Sequence, residues 1–439
     1  MTTEIAIMNK SAVALAADSA VTITAVGPEG RSHKVLNTAN KLFSLSKHAP
    51  VGLMIYGNAG MMGIPWETIV KMYREELSHR EFDTLEQYFE DFFKYMDDFD
   101  IGEDLQDLYV GSVAQAWCQE LRKRLDDWVQ EQIQRGSQPV SEDDVQASLR
   151  DFIKTEYENA LKAGSESSLS SNARNNLRKK YRKLVEHVCN DVFESLPVEA
   201  RMRSHLLTIV VNTAAVGLPN QSGIVVAGFG AKDLYPKCYD FDVAAVFAGK
   251  TIKKDLRAQV VSHQNPAVIM PFAQSDDVKT FMEGIGPSLN QFLHSVFTMM
   301  FKKVLPETAR DEVVAKLGLN DAQKKTLHTI IRDMCKGACD EAFKALDRKK
   351  RADYVDPIVQ ATGFLNKAEL AAMAETLVNL VSFRKQVTME AETVGGPIDV
   401  AIISKGDGFV WVKRKHYFPP ELNHHFFSNY YRKVDHDGG

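Results

Sequence analysis

Several features that mark large functional classes are missing from this chain. It has no run of some 18 apolar residues, so no membrane-spanning helix is expected. No basic segment followed by an apolar stretch opens it, so no secretory signal peptide is expected either. An excess of positive charge is also lacking. The 53 Lys and Arg against 58 Asp and Glu give a formal net charge of -5, which offers no footprint for nucleic acid or an anionic membrane surface. Cysteine is sparse, five in 439 residues and without framework spacings, which suits a reducing compartment better than a disulfide scaffold. Cys335 and Cys339 lie one helical turn apart but have no nearby His or Cys pair to complete a metal site. His424 and His425, with His436, sit among Phe and Tyr, as in a packed tail. No Gly-x-Ser-x-Gly elbow, His-Glu-x-x-His helix or Walker loop occurs, so the common rival hydrolase mechanisms lack their motifs. The expectation is a cytoplasmic protein with no cofactor, no metal, and neither nucleic acid nor membrane as partner.

What is present reads as an ordinary globular chain, with 44% hydrophobic and 25% charged residues. Its length allows two or three domains, or one enlarged by insertions. Thr2 to Met8, Ser11 to Ala17, Lys41 to Ser46 and Val51 to Tyr56 are apolar and small or β-branched, and read as strands. Turns are expected at Asn9-Lys10, at Gly27-Pro28-Glu29-Gly30 and at His48-Ala49-Pro50. Pro65 suits the first position of a helix running through Leu77. From about Ser78 to Ala200 the pattern turns helical and polar, with an aromatic stripe at Phe82, Leu85, Tyr88, Phe89, Phe92 and Phe93 that reads as core. Ser141 with Asp144, and Asn366 with Glu369, resemble capping boxes. Ala163 to Asn176 reads as a flexible loop. Leu207 to Val211, Ser222 to Phe229 and Cys238 to Val246 read as further strands. Helices are expected on either side of Gly286-Pro287, and a hairpin over residues 398–413.

The most informative chemistry is positional. Met1 precedes Thr2 and Thr3, and an initiator methionine is efficiently removed before a small residue. Removal would give Thr2 a free α-amine beside its own hydroxyl. An α-amine with a pKa near 7.7–8 is partly unprotonated at neutral pH. It can take the hydroxyl proton without a histidine.

Thr2-Thr3-Glu4-Ile5-Ala6-Ile7, followed by Val13-Ala14-Leu15-Ala16-Ala17-Asp18-Ser19, resembles the opening of a proteasome β subunit. It is also similar to the bacterial ATP-dependent peptidase of the same N-terminal-nucleophile (Ntn) hydrolase family. Asn40-Lys41-Leu42-Phe43 matches the strand bearing that family's catalytic lysine, and residues 52–60 match its glycine-rich turn before the first helix. Four elements in one order are more specific than any one of them. The resemblance is good over residues 2–77, fainter over 205–300 and 366–418, and absent between.

The resemblance implies an α+β fold, the four-layer αββα Ntn-hydrolase sandwich, with large helical insertions. Its parts would be residues 1–78 as first core segment, 79–204 as helical insertion, 205–300 as second core segment, 301–365 as a second insertion and 366–439 as final helix, hairpin and tail. Thr2 would be nucleophile and, through its amine, base. Lys41 would hold a positive charge beside that amine, Asp18 would fix Lys41, and the Gly57 N–H would face the oxyanion. Ser275 falls where the family has a supporting serine, and Gly395-Gly396 resembles its late glycine pair. The family's serine before that pair, and an aspartate three residues earlier, are replaced by Val394 and Ala391; Glu390 and Glu392 are the nearest acids. Gly228-Phe229-Gly230 lacks the third glycine of a phosphate loop. The implied reaction is peptide-bond hydrolysis through an acyl-threonine ester, by a homo-oligomer served by an ATP-driven unfoldase. An amidase for small amides and a catalytically silent assembly or regulatory subunit are the alternatives.

Overall fold

Small apolar residues build the start of the chain. In the computed structural model, residues 3–27, 30–135, 140–194, 196, 198–218, 221–317, 319–388, 395–416, 418–425 and 428 are described. Strands β1 (Thr3–Asn9) and β2 (Ala12–Ala17) are buried along their whole length. They are joined by a tight turn in which the Asn9 side chain accepts hydrogen bonds from the Ser11 and Ala12 N–H groups. A ribbon of β3 (Val21–Gly27) and β4 (Gly30–Leu36) follows, closing with Gly27 opposite Gly30; Pro28 and Glu29 of the expected turn lie outside the described residues. Next come β5 (Leu42–Ser44), β6 (Val51–Gly57) and the two-residue strands β7 (Gly60–Met61) and β8 (Ile64–Pro65).

Helix α1 (Trp66–Leu77) starts directly after Pro65. The aromatic stripe lies largely on α2 (Leu85–Asp97), before which the Gln87 side chain accepts from the Thr84 N–H at 3.2 Å. Helices α3 (Glu103–Gln134), α4 (Glu142–Ser165), α5 (Ser171–Phe193) and α6 (Ala200–Val216) complete the helical run. The Ser141–Asp144 capping box is formed. Strands β9 (Ser222–Gly228), β10 (Lys237–Phe247), β11 (Lys250–Val260) and β12 (Ala267–Ala273) follow. Then come α7 (Asp276–Glu283), α8 (Pro287–Met299), α9 (Leu305–Leu317), α10 (Asp321–Lys350), α11 (Asp356–Phe364) and α12 (Lys367–Val387). Strands β13 (Asp399–Ser404) and β14 (Gly408–Lys413) close the described core as the expected hairpin.

Two local expectations are corrected. Leu207–Val211 is not a strand but the middle of α6, where every residue from Leu206 to Asn212 is buried. A helix that is apolar all round is a fully caged one, and a short apolar run cannot be told from a buried strand by periodicity. The expected loop over Ala163–Asn176 shrinks to residues 166–170. The Ser170 hydroxyl accepts from the Ala173 N–H and so starts α5 early.

Contacts divide the chain into two compact units, residues 1–42 with 260–439, and residues 43–259. In the first, the sheet order is β12-β1-β2-β13-β14, with all four pairings antiparallel. One face of it, Ile5, Ile7, Ala14, Ala16, Val400 and Ile402, packs on Leu370, Ala374, Leu377 and Val381 of α12. The alanines let the helix approach closely. In the second unit the order is β11-β10-β9-β6-β5. There Trp66, Ile69, Tyr73 and Phe92 from α1 and α2 cover Leu53, Ile55, Ile224, Val226 and Phe241. The result is a mixed α and β architecture in which each unit carries a five-stranded sheet with helices on one face. Among the described residues, no helix is long and apolar enough to cross a membrane.

The second unit is also tied by charge. At the start of α2, Glu86 accepts from Lys237 Nζ at 2.9 and 3.0 Å and from the Tyr239 hydroxyl. Burial pushes the Glu86 carboxyl up, but the bonds from Tyr239 and Lys237 outweigh it and bring it down to about 2 from the ordinary 4.5. A depressed folded pKa contributes stability that is complete above the unfolded value and is lost as pH falls through the folded one. Glu86→Gln is therefore expected to lower the melting temperature at pH 7, with the difference closing between pH 4.5 and pH 2. Calorimetry of both proteins across that range checks it.

Candidate functional site

The end of β2 and the start of β1 are neighbours because Glu4 pairs with Ala17 in the antiparallel register. The next residues up, Thr3 and Asp18, then close on each other. The Asp18 N–H donates to the Thr3 carbonyl at 3.1 Å, and the Thr3 N–H donates to Asp18 Oδ1 at 3.0 Å. The chain leaves at Asp18, runs through the β3–β4 ribbon and returns. There the Ala39 N–H donates to the Ser19 carbonyl at 3.2 Å. Two residues later Lys41 reaches back, its Nζ 2.6 Å from Asp18 Oδ1. The long segment between Asp18 and Lys41 is thus accommodated as a ribbon whose ends meet.

Lys41 is 3% exposed, a burial that lysine shows almost only when paired. It has two partners. Besides Asp18, Nζ lies 3.1 Å from Glu4 Oε1, and both carboxylates are inaccessible to solvent. Asp18 Oδ2 accepts from the backbone N–H groups of Ala20 at 3.3 Å and Gly395 at 3.1 Å. The Ser19 N–H donates back to the Gly395 carbonyl, and its hydroxyl to that of Pro397. The late glycine segment is therefore stitched onto Asp18 and Ser19.

Sequence reasoning named Asp18, Lys41 and the Gly395-Gly396 pair, and these come together. It missed Glu4, although a single charge inside the apolar run from Thr3 to Met8 was the signal available. Glu4 alternates with Ile5 and Ile7, which face α12, so it stands on the opposite face of β1. Ser275 sits two residues beyond Ala273, the register partner of Thr3. Its hydroxyl caps nothing in α7, and among the described residues no hydrogen bond joins it to Asp18 or Lys41. Thr2 lies outside the described residues, as do Ala391, Val394, Glu390 and Glu392. The Thr3 hydroxyl is buried without a hydrogen-bond partner among the described residues.

Gly57 belongs to the second unit, at the end of β6 opposite Ser222. Its φ is +78° and an added Cβ would stand 2.8 Å from the Gln221 carbonyl oxygen. The turn is held by the Asn58 N–H on that same carbonyl at 3.0 Å, and the Gln221 N–H donates to Asp242 at 3.1 Å. Tyr56, one residue before, donates to the buried Asp240 at 2.8 Å, which also takes Arg257 Nε at 2.9 Å. Burial, reinforced by Asp240, pushes the Tyr56 phenol well above its ordinary value. Gly228-Phe229-Gly230 is packed rather than open: a Cβ on Gly230 would meet Thr84 Cα at 2.3 Å. Asp233 Oδ2 accepts from the Gly230 and Leu85 N–H groups at 2.9 Å each, tying this turn to α2.

Among the described residues, no group of three or more His, Cys, Asp or Glu is arranged to hold a metal ion. No protein-family model and no curated protein matches this chain.

Two substitutions measure the site's stability. Lys41→Met leaves two buried carboxylates without their cation and is expected to cost roughly 3–5 kcal/mol, read as a lower urea midpoint. Gly57→Ala forces a side chain into a left-handed conformation against a carbonyl and is expected to cost about 1–3 kcal/mol by the same measurement.

Proposed function

We propose that the chain is a proteasome-like Ntn hydrolase of the αββα class that cleaves peptide bonds with Thr2 as N-terminal nucleophile once Met1 is removed. The observation that supports this most is the buried Lys41 ammonium held by Asp18, whose carboxylate also takes the N–H of Thr3, the residue bonded to Thr2. A cation and its counter-ion are thereby fixed one residue from a hydroxyl that would share its residue with a free amine.

In this reading the Thr2 amine accepts the hydroxyl proton as the oxygen attacks the amide carbonyl. The positive charge of Lys41 favours the neutral, proton-accepting form of the amine. The Gly57 N–H is assigned to the oxyanion by the resemblance alone. The proton then passes to the leaving amine, and water hydrolyses the acyl-threonine ester, returning the hydroxyl. A peptide or protein substrate, self-assembly, an unfoldase partner and a cytoplasmic location belong to the proposal through the resemblance alone.

Intact-mass analysis before and after exposure to a threonine-directed β-lactone tests it. The expected result is a chain lacking Met1 that gains one adduct, with no adduct on Thr2→Ala. Retained Met1, or labelling that survives Thr2→Ala, removes the proposal. Peptide and small-amide substrates assayed side by side separate a peptidase from an amidase, and no turnover with an unlabelled Thr2 identifies a silent subunit.

A further inference from the structure

We propose that Cys189 is a peroxide-reactive thiol with Cys118 as its resolving partner, so that the second unit carries a site for reversible disulfide formation between α5 and α3. The site is independent of the chemistry proposed for Thr2. It is built from a cavity, a fixed cation and a facing thiol.

The cavity, of about 140 Å³, opens between α5 and α6, and Cys189 lines it together with Arg182, Glu186, Ala200, Arg203 and Ser204. Arg182, Ala200 and Ser204 are exposed, so solvent reaches the rim, while Cys189 is 1% exposed and closes the inner end. A water takes about 30 Å³ in the liquid, so hydrogen peroxide fits. Arg203 is held beside the cavity by its own bonds, from Nε to the Val198 carbonyl at 2.9 Å and from Nη1 to Asn190 Oδ1 at 2.7 Å. Behind Cys189 lies Cys118 of α3, in the same apolar cluster as Leu121, Phe193 and Leu206. Both cysteines are free, and their thiols are within side-chain hydrogen-bonding reach of each other.

The two thiols are unequal. Donation from Cys118 holds the Cys189 thiol below the ordinary cysteine value against the effect of burial; the Arg203 guanidinium adds to the lowering and Glu186 opposes it. The bond to Cys189, and then burial, push the Cys118 thiol up. Cys189 is therefore the thiolate former and Cys118 keeps its proton, the division of labour of a reactive and a resolving cysteine. The Cys189 thiolate attacks one peroxide oxygen: the S–O bond forms, the O–O bond breaks, and the departing hydroxide takes the proton Cys189 had released, giving water. Sulfur is oxidised to a sulfenic acid as the peroxide is reduced. The Cys118 sulfur then attacks the sulfenic sulfur. The S–S bond forms, the S–O bond breaks, and hydroxide leaves with the Cys118 proton as a second water. Excess thiol reverses the disulfide by exchange.

Peptide mapping of the native full chain after brief treatment with hydrogen peroxide tests this. A linked Cys118–Cys189 peptide is expected, and is lost on adding dithiothreitol. In Cys118→Ala, Cys189 is expected to stop at the sulfenic acid and take a dimedone adduct; in Cys189→Ala, Cys118 is expected to stay a thiol. A native wild type without the linked peptide, or one that forms it only in urea, overturns the proposal. So does oxidation of the half-buried Cys335 while Cys189 remains a thiol, the behaviour of a cysteine that only fills space. The wild-type map decides even where a variant fails to fold. None of these readouts involves Thr2, so a failed β-lactone test leaves them standing, and their failure leaves the proposed function standing.

Discussion

A lysine ammonium removed from water must be met by anions, and Lys41 is the point at which this constraint acts on the first unit. Its Nζ is reached only if Asp18 ends β2 beside Thr3, the ribbon returns at Ala39, and Glu4 faces inward from β1. Asp18 in turn takes the Gly395 N–H, so a segment more than 370 positions away in sequence is fixed by the same carboxylate. Four stretches of chain are thus assembled around one charge. Buried ion pairs give poor stability for what they cost, since well-packed apolar residues of similar size often do as well or better by about 1–4 kcal/mol. In strands made of Ala, Val, Ile and Leu, such residues were the ready alternative. The cluster's contribution is to fix where these four stretches meet.

Much of this was visible beforehand, for physical reasons. Short runs of alanine and β-branched residues favour strands covered on both sides, and β1, β2 and β9 are such strands. The capping pairs Ser141–Asp144 and Asn366–Glu369 use local chemistry that needs no tertiary context, and both form. Asp18 and Lys41 were found because the order of motifs placed them, not because a separation of 23 positions suggested contact. Glu4 was missed because a carboxylate in a strand is informative only once its face is known, and strand faces are set by partners. Leu207 to Val211 was misread because β-branched side chains favour strands until a cage of helices offers burial on every side. The loop over Ala163 to Asn176 was misread because its serines, which discourage helix interiors, also make good caps.

The two groups of helices differ in how they pack. Helices α3 to α6 enclose their own apolar interior, with Cys118, Leu121, Ile153, Phe193 and Leu206 at its centre. Among the described residues of α8 to α11, few are buried. Cys339 is the buried side chain of α10, and α8 has none, while Leu289, Phe292 and Met299 stay exposed. His294 stacked on Phe343 at 3.9 Å joins the two limbs. Propensity and capping shape this arm more than core packing does, which is why its helices were recognisable from sequence and its packing was not.

The two units contain the same ionic motif in different surroundings. Lys237 faces Glu86 and Asp233 as Lys41 faces Glu4 and Asp18. Each group has one ammonium and two carboxylates. Around Lys237 the side chains are 18%, 32% and 7% exposed, and the Tyr239 hydroxyl donates to Glu86 as well. Water and a neutral donor therefore share in solvating these charges, and the group joins α2 to β10. Around Lys41 the exposures are 4%, 0% and 0%, so water cannot do the same. Charges kept from water to that degree depend on one another for their solvation.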